Sequence, residues 1–358
     1  MTVSIIVGTR PEIIKMSPII HECEKQNLDY FILHTGQHYS YDMDRVFFEQ
    51  LELPTPKYNL DVGSGSHAEQ TGNILIGLEK ILQKEKPNIV LVEGDTNTVL
   101  AGALAAAKLH IKVGHVEAGL RSYDRNMPEE INRVLTDHCA DILFAPTEKS
   151  KQHLIKENIQ EDKIFVTGNT IVDAIFQNQK LATKKSNILK ELGLQRKGYF
   201  LVTIHRQENS DNKSRFEGIL EGLTQLNKKY NIPVIYPVHP RAQKKMQEFN
   251  LSSDGIKLVK PLDFFGFLLL EENAKVVLTD SGGVQEETCI LGIPCVTLRD
   301  NTERPETLDV KANILAGTNS EKIVDCVSLM YKKNKEWINP FGSGDAGKKI
   351  VKIVKEVK

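Results

Sequence analysis

Carboxylates and histidines in this sequence collect in short polar segments, each of which follows a run of apolar and β-branched residues. Side chains of these two types are the ones that most often transfer protons in enzymes. Any one of them, taken alone, is more simply explained as a helix cap or a hydrogen-bonded turn residue. Together they indicate acid–base chemistry, and the candidates are Asp95, Glu117, Glu129, Glu130, His205 and His239.

The segment TDSGGVQEE (279–287) indicates an anionic ligand. Its Ser-Gly-Gly turn (281–283) stands at the predicted start of a helix, where backbone N–H groups bind phosphate and glycine allows close approach. On that helix Glu287 would lie about one turn beyond Gly283. Glu286 would point about 100° away from Glu287, and we expect it to be structural or solvated. The turn therefore predicts a phosphate site.

Basic side chains stand in similar segments after other strands, and they are Arg10, Lys15, Arg206, His239, Arg241 and Arg304. Taken singly, Arg206 and Arg241 are more simply residues of a solvated surface. Taken with the glycine turn, the set favours a phosphate ester as the ligand. The combination predicts a phosphate ester that acid–base groups process without a metal or a redox cofactor.

Several common motifs are absent from the sequence. It contains no HExxH metal site, no calcium loop of EF-hand spacing, no GxxxxGK[ST] phosphate loop and no GxSxG nucleophile elbow. The five cysteines are scattered, odd in number and never spaced as CxxC. This pattern favours a reducing compartment over a disulfide framework or a zinc cluster. We therefore expect neither a metal nor a cofactor.

Composition limits the class of protein further. With 358 residues, 40% hydrophobic and 26% charged, the chain is long enough for two globular domains. Its net charge of -1 gives no electrostatic footprint for nucleic acid or an acidic membrane surface. No apolar run approaches the roughly 20 residues of a membrane helix, and the N-terminus lacks the apolar core of a signal peptide. A cytoplasmic protein is expected.

Two series of strands alternate with amphipathic helices, a pattern typical of parallel α/β architecture. The predicted strands are 3–7, 30–34, 89–93, 112–116, 141–145 and 163–166 in the first series, and 199–204, 233–238, 256–259, 275–279, 293–298 and 313–316 in the second. Predicted helices include 11–26, 68–84, 97–109, 170–182, 215–229 and 320–332. The fold class predicted is α/β with two doubly wound, Rossmann-like domains.

The predicted domains are 1–168, joined by the C-terminal helix 344–358, and 169–343. In open α/β sheets, ligands bind beyond the carboxyl ends of the strands. Eight predicted strand ends carry dense polar clusters. We therefore expect these clusters to face one another across an interdomain cleft that holds the active site.

The sequence resembles the non-hydrolysing UDP-N-acetylglucosamine 2-epimerase family. The matching segments occur in the family's order from one end of the chain to the other: GTRPEIIKMSPI (8–19), TGQH (35–38), EGDTNT (93–98), GHVEAGLRS (114–122), PEEINR (128–133), GNTIVDA (168–174), HRQEN (205–209), YPVHP (236–240), TDSGGVQEE (279–287) and TERPET (302–307). Each is weak or moderate alone, but their combination is highly specific. The resemblance implies the two-domain GT-B-like fold of nucleotide-sugar glycosyltransferases, with the active site in the cleft.

The resemblance also implies roles for individual residues. Catalytic roles fall on Asp95, Glu117, Glu129 and His205, and substrate-binding roles on Arg10, Lys15, Phe267, Ser281, Gly282, Gly283, Glu287 and Arg304. Among these, Phe267 would pack against uracil, residues 281–283 would bind the diphosphate and Glu287 would bind the ribose. Gln37 and His38 match an allosteric site, although His38 is equally well a surface histidine. The segment SYDRNM (122–127) is shorter than in bacterial members, so Glu130 stays an alternative to Glu129, and Leu262 replaces a polar residue expected beside the uracil.

The activity implied is reversible epimerisation at C2 of UDP-GlcNAc to UDP-ManNAc, by anti elimination of UDP, a 2-acetamidoglucal intermediate and re-addition of UDP. Which carboxylate serves which face of C2 stays open. A homodimer is also implied by the resemblance. Three alternatives remain: a hydrolysing epimerase that releases UDP and ManNAc, a true glycosyltransferase, and a non-enzymatic nucleotide-sugar sensor. The sensor would not need three carboxylates.

Overall fold

The computed structural model describes residues 1–37, 41–334 and 336–356, except for the side chains of residues 41–43. It divides into two compact units. Unit 1 comprises Met1–Phe176 and Phe341–Lys358, and unit 2 comprises Gln177–Pro340. The helix Thr170–Lys185 therefore passes from one unit into the other.

Unit 1 is built on a parallel sheet whose strands are β1 (Thr2–Val7), β2 (Asp29–His34), β3 (Tyr58–Asn59), β4 (Ile89–Glu93), β5 (Lys112–Val116), β6 (Ile142–Ala145) and β7 (Ile164–Val166). Their order is β3-β2-β1-β4-β5-β6-β7. The helices of this unit are α1 (Arg10–Lys25), α2 (Tyr41–Gln50), α3 (His67–Glu85), α4 (Asn97–Lys108), α5 (Pro128–Cys139), α6 (Glu148–Lys156), the start of α7 (Thr170–Lys185) and, at the end of the chain, α16 (Ala346–Glu356).

Unit 2 repeats this arrangement with the strands β8 (Phe200–Thr203), β9 (Val234–Pro237), β10 (Ile256–Val259), β11 (Val276–Thr279), β12 (Cys295–Thr297) and β13 (Asn313–Leu315). Their order is β10-β9-β8-β11-β12-β13, again with parallel pairing. The helices are α8 (Ile188–Leu192), α9 (Gln207–Ser210), α10 (Lys213–Tyr230), α11 (Pro240–Glu248), α12 (Phe264–Asn273), α13 (Gly282–Leu291), α14 (Pro305–Asp309) and α15 (Ser320–Tyr331).

The prediction of two doubly wound α/β domains is confirmed. Every strand predicted from the sequence is present, with ends displaced by no more than two residues. The sequence missed β3, because two residues are too few to form a periodic pattern. The strands were recognisable because both faces of a parallel sheet are covered, so their sequences are apolar runs. In β8, for example, Phe200 and Leu201 are both fully buried but pack into different core clusters.

Each sheet has a topological switch point, where the strand order reverses and ligands bind in folds of this kind. In unit 1, β1 and β4 are neighbours although two strands separate them in the chain. In unit 2, β8 and β11 are neighbours in the same way. The switch points therefore bring together the segments after β1 and β4 in unit 1, and those after β8 and β11 in unit 2.

The segment GSGDAG (342–347) has the GxGxxG spacing of some dinucleotide-binding turns, but its glycines pack against protein. A Cβ on Gly344 would approach the Phe176 ring to 2.7 Å, and one on Gly347 would approach the carbonyl oxygen of Pro18 to 2.9 Å. The segment leads into α16, which packs on α1. Because no strand of the unit 1 sheet, as described, directly precedes it, the segment is a packing element rather than a nucleotide-binding turn.

Within the described residues, no helix is both long and apolar enough to cross a membrane.

Candidate active site

At the switch point of unit 1, one buried lysine lies between two buried carboxylates. Lys15, on α1, places its Nζ 3.2 Å from Glu93 Oε1 at the end of β4 and forms a second ion pair with Glu117 Oε2. All three side chains are at most 10% exposed. We call Lys15, Glu93 and Glu117 the buried ion cluster. It holds the Glu117 carboxylate in a fixed position.

Glu117 has an unusual backbone conformation for a residue with a side chain. It follows β5 directly, and its φ of 70° lies in the left-handed region. Such a conformation persists in a non-glycine residue only where surrounding structure imposes it, and these residues concentrate at functional sites. Asn169 supports the carboxylate with a hydrogen bond of 3.2 Å from Nδ2 to Oε2. The predicted catalytic residue Glu117 is therefore held by both its backbone and its side chain.

Two carboxyl groups have raised pKa values: Glu93 of the buried ion cluster, and Glu12 on α1. Burial raises the pKa of Glu12 from 4.5 to about 7, although its hydrogen bonds act in the opposite direction. Burial also raises the pKa of Glu93 well above its ordinary value; Lys15 lowers it, while Glu117 and Glu12 raise it further. One lysine cannot neutralise three carboxylates. With a pKa of about 7, the Glu12 carboxyl therefore keeps a proton part of the time near neutral pH.

Replacing Glu12 with glutamine tests this charge state. Glu12 accepts hydrogen bonds of 2.6 Å from the Gly8 N–H and the Thr96 hydroxyl, and glutamine can replace the neutral acid in both positions. Because the folded pKa exceeds the unfolded one, the native protein binds the extra proton, and wild-type stability falls as pH rises from 4.5 to about 7. The glutamine variant has no carboxyl group at position 12, so its stability does not fall in this way as pH rises. We expect it to gain on the order of 3 kcal/mol relative to wild type over that interval.

Thermal or denaturant unfolding at pH 4.5, 6 and 8 measures this difference. Glu130→Gln is the matched control, because burial alone would raise the pKa of Glu130 but hydrogen bonds from Ser122, Tyr123 and Arg133 lower it. Its folded pKa lies below the unfolded one, so the stability it contributes is lost as pH falls. That loss begins only below about pH 4.5, so the difference between wild type and Glu130→Gln should stay nearly constant from pH 4.5 to 8, whereas the difference for Glu12→Gln should change. A difference between wild type and the Glu12 variant that stays constant with pH would contradict the prediction.

Asp95 lies in the segment between β4 and α4, close in sequence to Glu93 of the buried ion cluster. Its Oδ2 is 2.5 Å from the Arg133 guanidinium, and its side chain remains 25% exposed. The Asn132 side chain donates to the Asp95 carbonyl at 2.9 Å and fixes the backbone. Thr96, rather than Asp95, is the N-cap of α4. Asp95 is therefore anchored by α5 and keeps part of its carboxylate accessible.

The structure separates the two neighbouring glutamates at the start of α5. Glu130 is buried, accepts from the backbone N–H groups of Ser122 and Tyr123 at 2.9 Å each, and pairs with Arg133 at 2.8 Å. It thus holds the short 122–127 segment in place. Glu129 is only half-buried and makes no side-chain hydrogen bond to the described residues. Its assignment stays a prediction, but this geometry favours Glu129 over Glu130 for contact with a substrate.

A second buried network supports the residues after β4 and β5. His115 Nδ1 lies 2.6 Å from Asp137 Oδ1, and its Nε2 lies 2.9 Å from the carbonyl oxygen of Gly94. Asp137 also accepts from Arg121 at 2.7 Å. Burial alone would raise the pKa of Asp137, but His115 and Arg121 lower it below its ordinary value. The network is a scaffold that fixes the turn before Asp95.

Arg10 is the first residue of α1, and two residues of α2 hold its side chain. Its Nε lies 3.3 Å from Asp44, and its guanidinium stacks over the Phe47 ring at 4.9 Å. Asp44 is itself held by His34 at 3.2 Å. With 37% of its side chain exposed, Arg10 remains available to an anion.

Of the two possible allosteric residues, Gln37 and His38, the structure describes only Gln37. Gln37 is buried, and its Oε1 accepts from the backbone and hydroxyl of Thr98 at 2.9 and 2.7 Å. Its contacts therefore tie the segment after β2 to the start of α4. His38 lies outside the described residues. An allosteric role for either residue stays a prediction.

At the switch point of unit 2, the Ser-Gly-Gly turn begins a helix as predicted. Ser281 is the N-cap of α13, and α13 starts at Gly282. A Cβ on Gly282 would collide with Glu303 Oε1, whereas the only described atom within 4 Å of a Cβ on Gly283 would be Ser281 Oγ at 3.8 Å. The two glycines thus have different surroundings: Gly282 packs against Glu303, and the space around a Cβ on Gly283 is open.

His205, which follows β8, is held by a buried aspartate from the neighbouring strand. Asp280 Oδ1 lies 3.2 Å from His205 Nδ1, and its oxygens accept from the backbone N–H groups of His205 and Arg206 at 3.1–3.2 Å. Burial alone would raise the pKa of Asp280, but hydrogen bonds from His205 and Asn209 lower it below its ordinary value. The imidazole is thus held through Nδ1, and its side chain is 56% exposed.

The remaining predicted residues of unit 2 lie on the helices around this turn. Glu287 is half-buried on α13, while Glu286 is fully buried and pairs with Arg304 at 2.7 Å. The expectation that Glu286 is structural is thus met, and the solvated alternative is wrong. Burial and the neighbouring Glu287 raise the pKa of Glu271 well above its ordinary value. Phe267 is half-buried on α12.

Sequence reasoning missed several residues that position the candidate groups: Glu93, Arg133, Asn169, Asp280 and Glu303. Two of them carried a signal. Glu93 is a charged residue in the otherwise apolar strand IVLVE, and Asp280 directly follows the buried strand VVLT. The others become visible only through their contacts. Among the described residues, no group of three His, Cys, Asp or Glu side chains is arranged to hold a metal ion.

Unit 1 therefore presents the carboxylates of Asp95 and Glu117, held by ion pairs, and raised pKa values at Glu12 and Glu93. Unit 2 presents the start of α13, of a type that binds anions, and the imidazole of His205, held by Asp280. The first set suits proton transfer, and the second suits a phosphate ester.

Comparison with known proteins agrees with this chemistry. Residues 21–355 match the family model described as UDP-N-acetylglucosamine 2-epimerase. The UDP-N-acetylglucosamine 2-epimerases of Methanocaldococcus jannaschii and Methanococcus maripaludis are 58% and 55% identical to the chain, with 99% and 98% of each sequence covered, respectively.

A solved structure of the first relative is also similar. The crystal structure of Methanocaldococcus jannaschii UDP-GlcNAc 2-epimerase in complex with UDP-GlcNAc and UDP matches with a TM-score of 0.94, covering 99% of this chain and 100% of that one. Identity at this level over the whole length, together with the family model, shows common ancestry. The chain belongs to the UDP-N-acetylglucosamine 2-epimerase family.

Proposed function

We propose that the protein is a non-hydrolysing epimerase that interconverts UDP-GlcNAc and UDP-ManNAc. The observation that carries this proposal is the pair of carboxylates Asp95 and Glu117, each held by ion pairs, with the partly exposed Glu129, in a chain that is 58% identical to a UDP-GlcNAc 2-epimerase. The structure of that relative holds UDP-GlcNAc and UDP. A homodimer in the cytoplasm, without metal or cofactor, is part of the proposal.

The reaction must overcome the low acidity of the C2–H bond in a pyranose. Loss of UDP first gives C1 oxocarbenium character, and this makes the C2 proton acidic. The C1–O bond breaks with its electron pair leaving on UDP, a carboxylate takes the C2 proton, and a C1=C2 double bond forms. In the return step a carboxyl group protonates C2 from the other face, and the UDP oxygen re-forms the bond to C1.

In this proposal unit 1 supplies the proton-transfer groups. Asp95, Glu117 and Glu129 act as bases and acids on the two faces of C2, without an assignment of face. A carboxyl group that acts as an acid at neutral pH needs a raised pKa. The raised pKa values of Glu12 and Glu93 support a site that retains protons for this purpose.

Unit 2 supplies the nucleotide site. Residues 281–283 bind the diphosphate through backbone N–H groups, Glu287 accepts from the ribose hydroxyls and Phe267 packs against uracil. His205, with Arg10 and Lys15 of unit 1 and Arg304 of unit 2, stabilises the negative charge of the departing UDP. Lys15 would act through its position in the buried ion cluster, because its described contacts are with Glu93 and Glu117.

Incubation with UDP-GlcNAc in D₂O tests the proposal directly. We expect deuterium at C2 of both UDP-GlcNAc and UDP-ManNAc, because elimination cleaves the C2–H bond and re-addition takes a proton from exchangeable groups. Proton NMR of the sugar and mass spectrometry measure the label. A transferase or a nucleotide-sugar sensor would leave C2 unlabelled, and this result would contradict the proposal.

The same reaction mixture distinguishes the two kinds of epimerase. A non-hydrolysing enzyme reaches an equilibrium between UDP-GlcNAc and UDP-ManNAc, whereas a hydrolysing one accumulates UDP and free ManNAc. Free ManNAc as the main product would favour the hydrolysing alternative.

A further inference from the structure

Asn169 is a buried asparagine of the GNTIVDA segment that reaches the Glu117 carboxylate from the end of another strand. Glu117 directly follows β5, whereas Asn169 lies between β7 and α7. Strands β5, β6 and β7 are parallel neighbours, so the segments that follow them meet at one edge of the sheet. The function proposed above gives no role to this asparagine.

The backbone of Asn169 is held by contacts that do not involve Glu117. Its N–H donates to the carbonyl of Phe341 at 2.8 Å, and its own carbonyl accepts from the N–H of Val172 at 3.1 Å. The preceding Gly168 has a φ of 87°, and a Cβ there would approach the same Phe341 oxygen to 3.1 Å. The chain is therefore closely packed at this point, and the position of Asn169 is set independently of the carboxylate.

The orientation of the Asn169 amide is also determined. Its Oδ1 accepts from the N–H of Ile171 at 3.1 Å, as the side chain of a residue before a helix commonly does. Only the oxygen of an amide accepts from an N–H, so the nitrogen must face Glu117. That nitrogen can only donate, and Oε2 of Glu117 is therefore the acceptor.

A second donor holds the same oxygen. Lys15, on α1, forms its ion pair with Glu117 through Oε2. Two donors from different elements thus converge on one oxygen, and the carboxylate cannot turn without losing one of them. The lysine is a point charge on a flexible stem, whereas the planar amide adds a fixed direction.

We propose that Asn169 is a positioning residue for proton transfer at C2, which together with Lys15 fixes the orientation in which the Glu117 carboxylate takes the proton. This inference rests on the proposed function. Asn169 acts through Glu117, because a base that is slightly misplaced reacts much more slowly than one held in the reactive geometry.

Asn169→Ser separates this role from capping of α7. Serine is about as good as asparagine before a helix and can keep the bond to Ile171, but it is too short to reach Glu117. We expect kcat per folded enzyme to fall about ten- to a hundredfold, the effect of losing a hydrogen bond to a charged group, with KM little changed. Asn169→Asp keeps the shape but presents an oxygen to Glu117, and it should lose at least as much. Initial rates of UDP-ManNAc formation and of deuterium uptake at C2 measure these effects.

A double-mutant cycle distinguishes positioning from a structural role. In a Glu117→Gln background, Asn169→Ser should cause little further loss of kcat, because the carboxylate that it positions is already gone. A structural role would lower kcat by the same factor in both backgrounds.

Asn273→Ser is the matched control. Asn273 is also a buried asparagine, and its amide donates to the Leu269 carbonyl at 2.8 Å at the end of α12, ahead of β11. Its kcat should stay at the wild-type value. Wild-type kcat in Asn169→Ser, or the same loss in both backgrounds, would overturn the inference while C2 labelling by the wild type left the proposed function intact. A wild-type enzyme that does not label C2 would overturn both.

Discussion

Glu117→Gln is expected to lower the turnover number about 10²–10⁴-fold, the usual consequence of removing a proton-transfer group. Glutamine matches the size of glutamate and can keep a hydrogen bond with Asn169, so the fold and KM should change little. The amide cannot accept the C2 proton. Initial rates of UDP-ManNAc formation, with substrate in excess of KM, measure the effect.

The surroundings of Glu117 explain why the loss should be large. Its carboxylate is held by Lys15 and Asn169 and by a backbone with a φ of 70°. No other described carboxylate shares this position, since Glu93 is fully buried behind the same lysine and Asp95 is bound by Arg133. A substitute base would require these groups to rearrange.

Asp173→Asn is the control for this prediction. Asp173 is a buried carboxylate of the same unit that accepts from the backbone N–H groups of Ala346 and Gly347 at the start of α16. The change should lower the thermal midpoint while the turnover number of the folded enzyme stays near wild type. Near-wild-type turnover in Glu117→Gln would exclude Glu117 as a proton-transfer residue. A rate loss matched by an equal loss of folded protein would assign it a structural role.

Alanine at Gly282 and at Gly283 should have different effects. Gly282→Ala is expected to destabilise the ligand-free protein by about 1–3 kcal/mol, the usual cost of overpacking, because its Cβ collides with a Glu303 carboxylate fixed by two arginines. Gly283→Ala should leave stability unchanged or slightly higher, since its Cβ enters open space and alanine favours helix. Both changes should weaken UDP binding.

The reason for the lost affinity differs between the two variants. In Gly282→Ala, the collision with Glu303 would disturb the start of α13, where the diphosphate is proposed to bind. In Gly283→Ala, the new methyl group would occupy the space through which a phosphate approaches the N–H groups of α13. Thermal unfolding without ligand and calorimetry with UDP separate the effects. A Gly282→Ala variant as stable as wild type, or a Gly283→Ala variant that binds UDP normally, would contradict this division.

The order of strands and helices could be predicted from the sequence because the patterns that encode them are local. A buried parallel strand is an apolar run of a few residues, and a surface helix repeats its apolar positions within two turns. The helix start at Gly282 was also predictable, because Ser followed by Gly-Gly after an apolar strand is a contiguous signal. β3 was missed because its two residues carry no period.

The candidate site was predictable in its composition but not in its contacts. The polar segments after the strands identified Asp95, Glu117 and the Ser-Gly-Gly turn. They did not show that Lys15 lies between Glu93 and Glu117, because those contacts join residues that are far apart in the chain. Nor did they distinguish Glu129 from Glu130, whose difference depends on which side of α5 meets the 122–127 segment.

By itself the sequence determined the α/β architecture, the family and the polar segments that carry the chemistry, since each depends on short-range patterns or on motifs read in order. Only the tertiary structure decided which of those residues meet. The sheet order makes β1 a neighbour of β4 and β8 a neighbour of β11. These pairings create the buried ion cluster, set Asp280 behind His205 and give Gly282 and Gly283 different surroundings. Burial among distant residues also fixes which carboxyl groups keep a proton, and a linear sequence does not specify that burial.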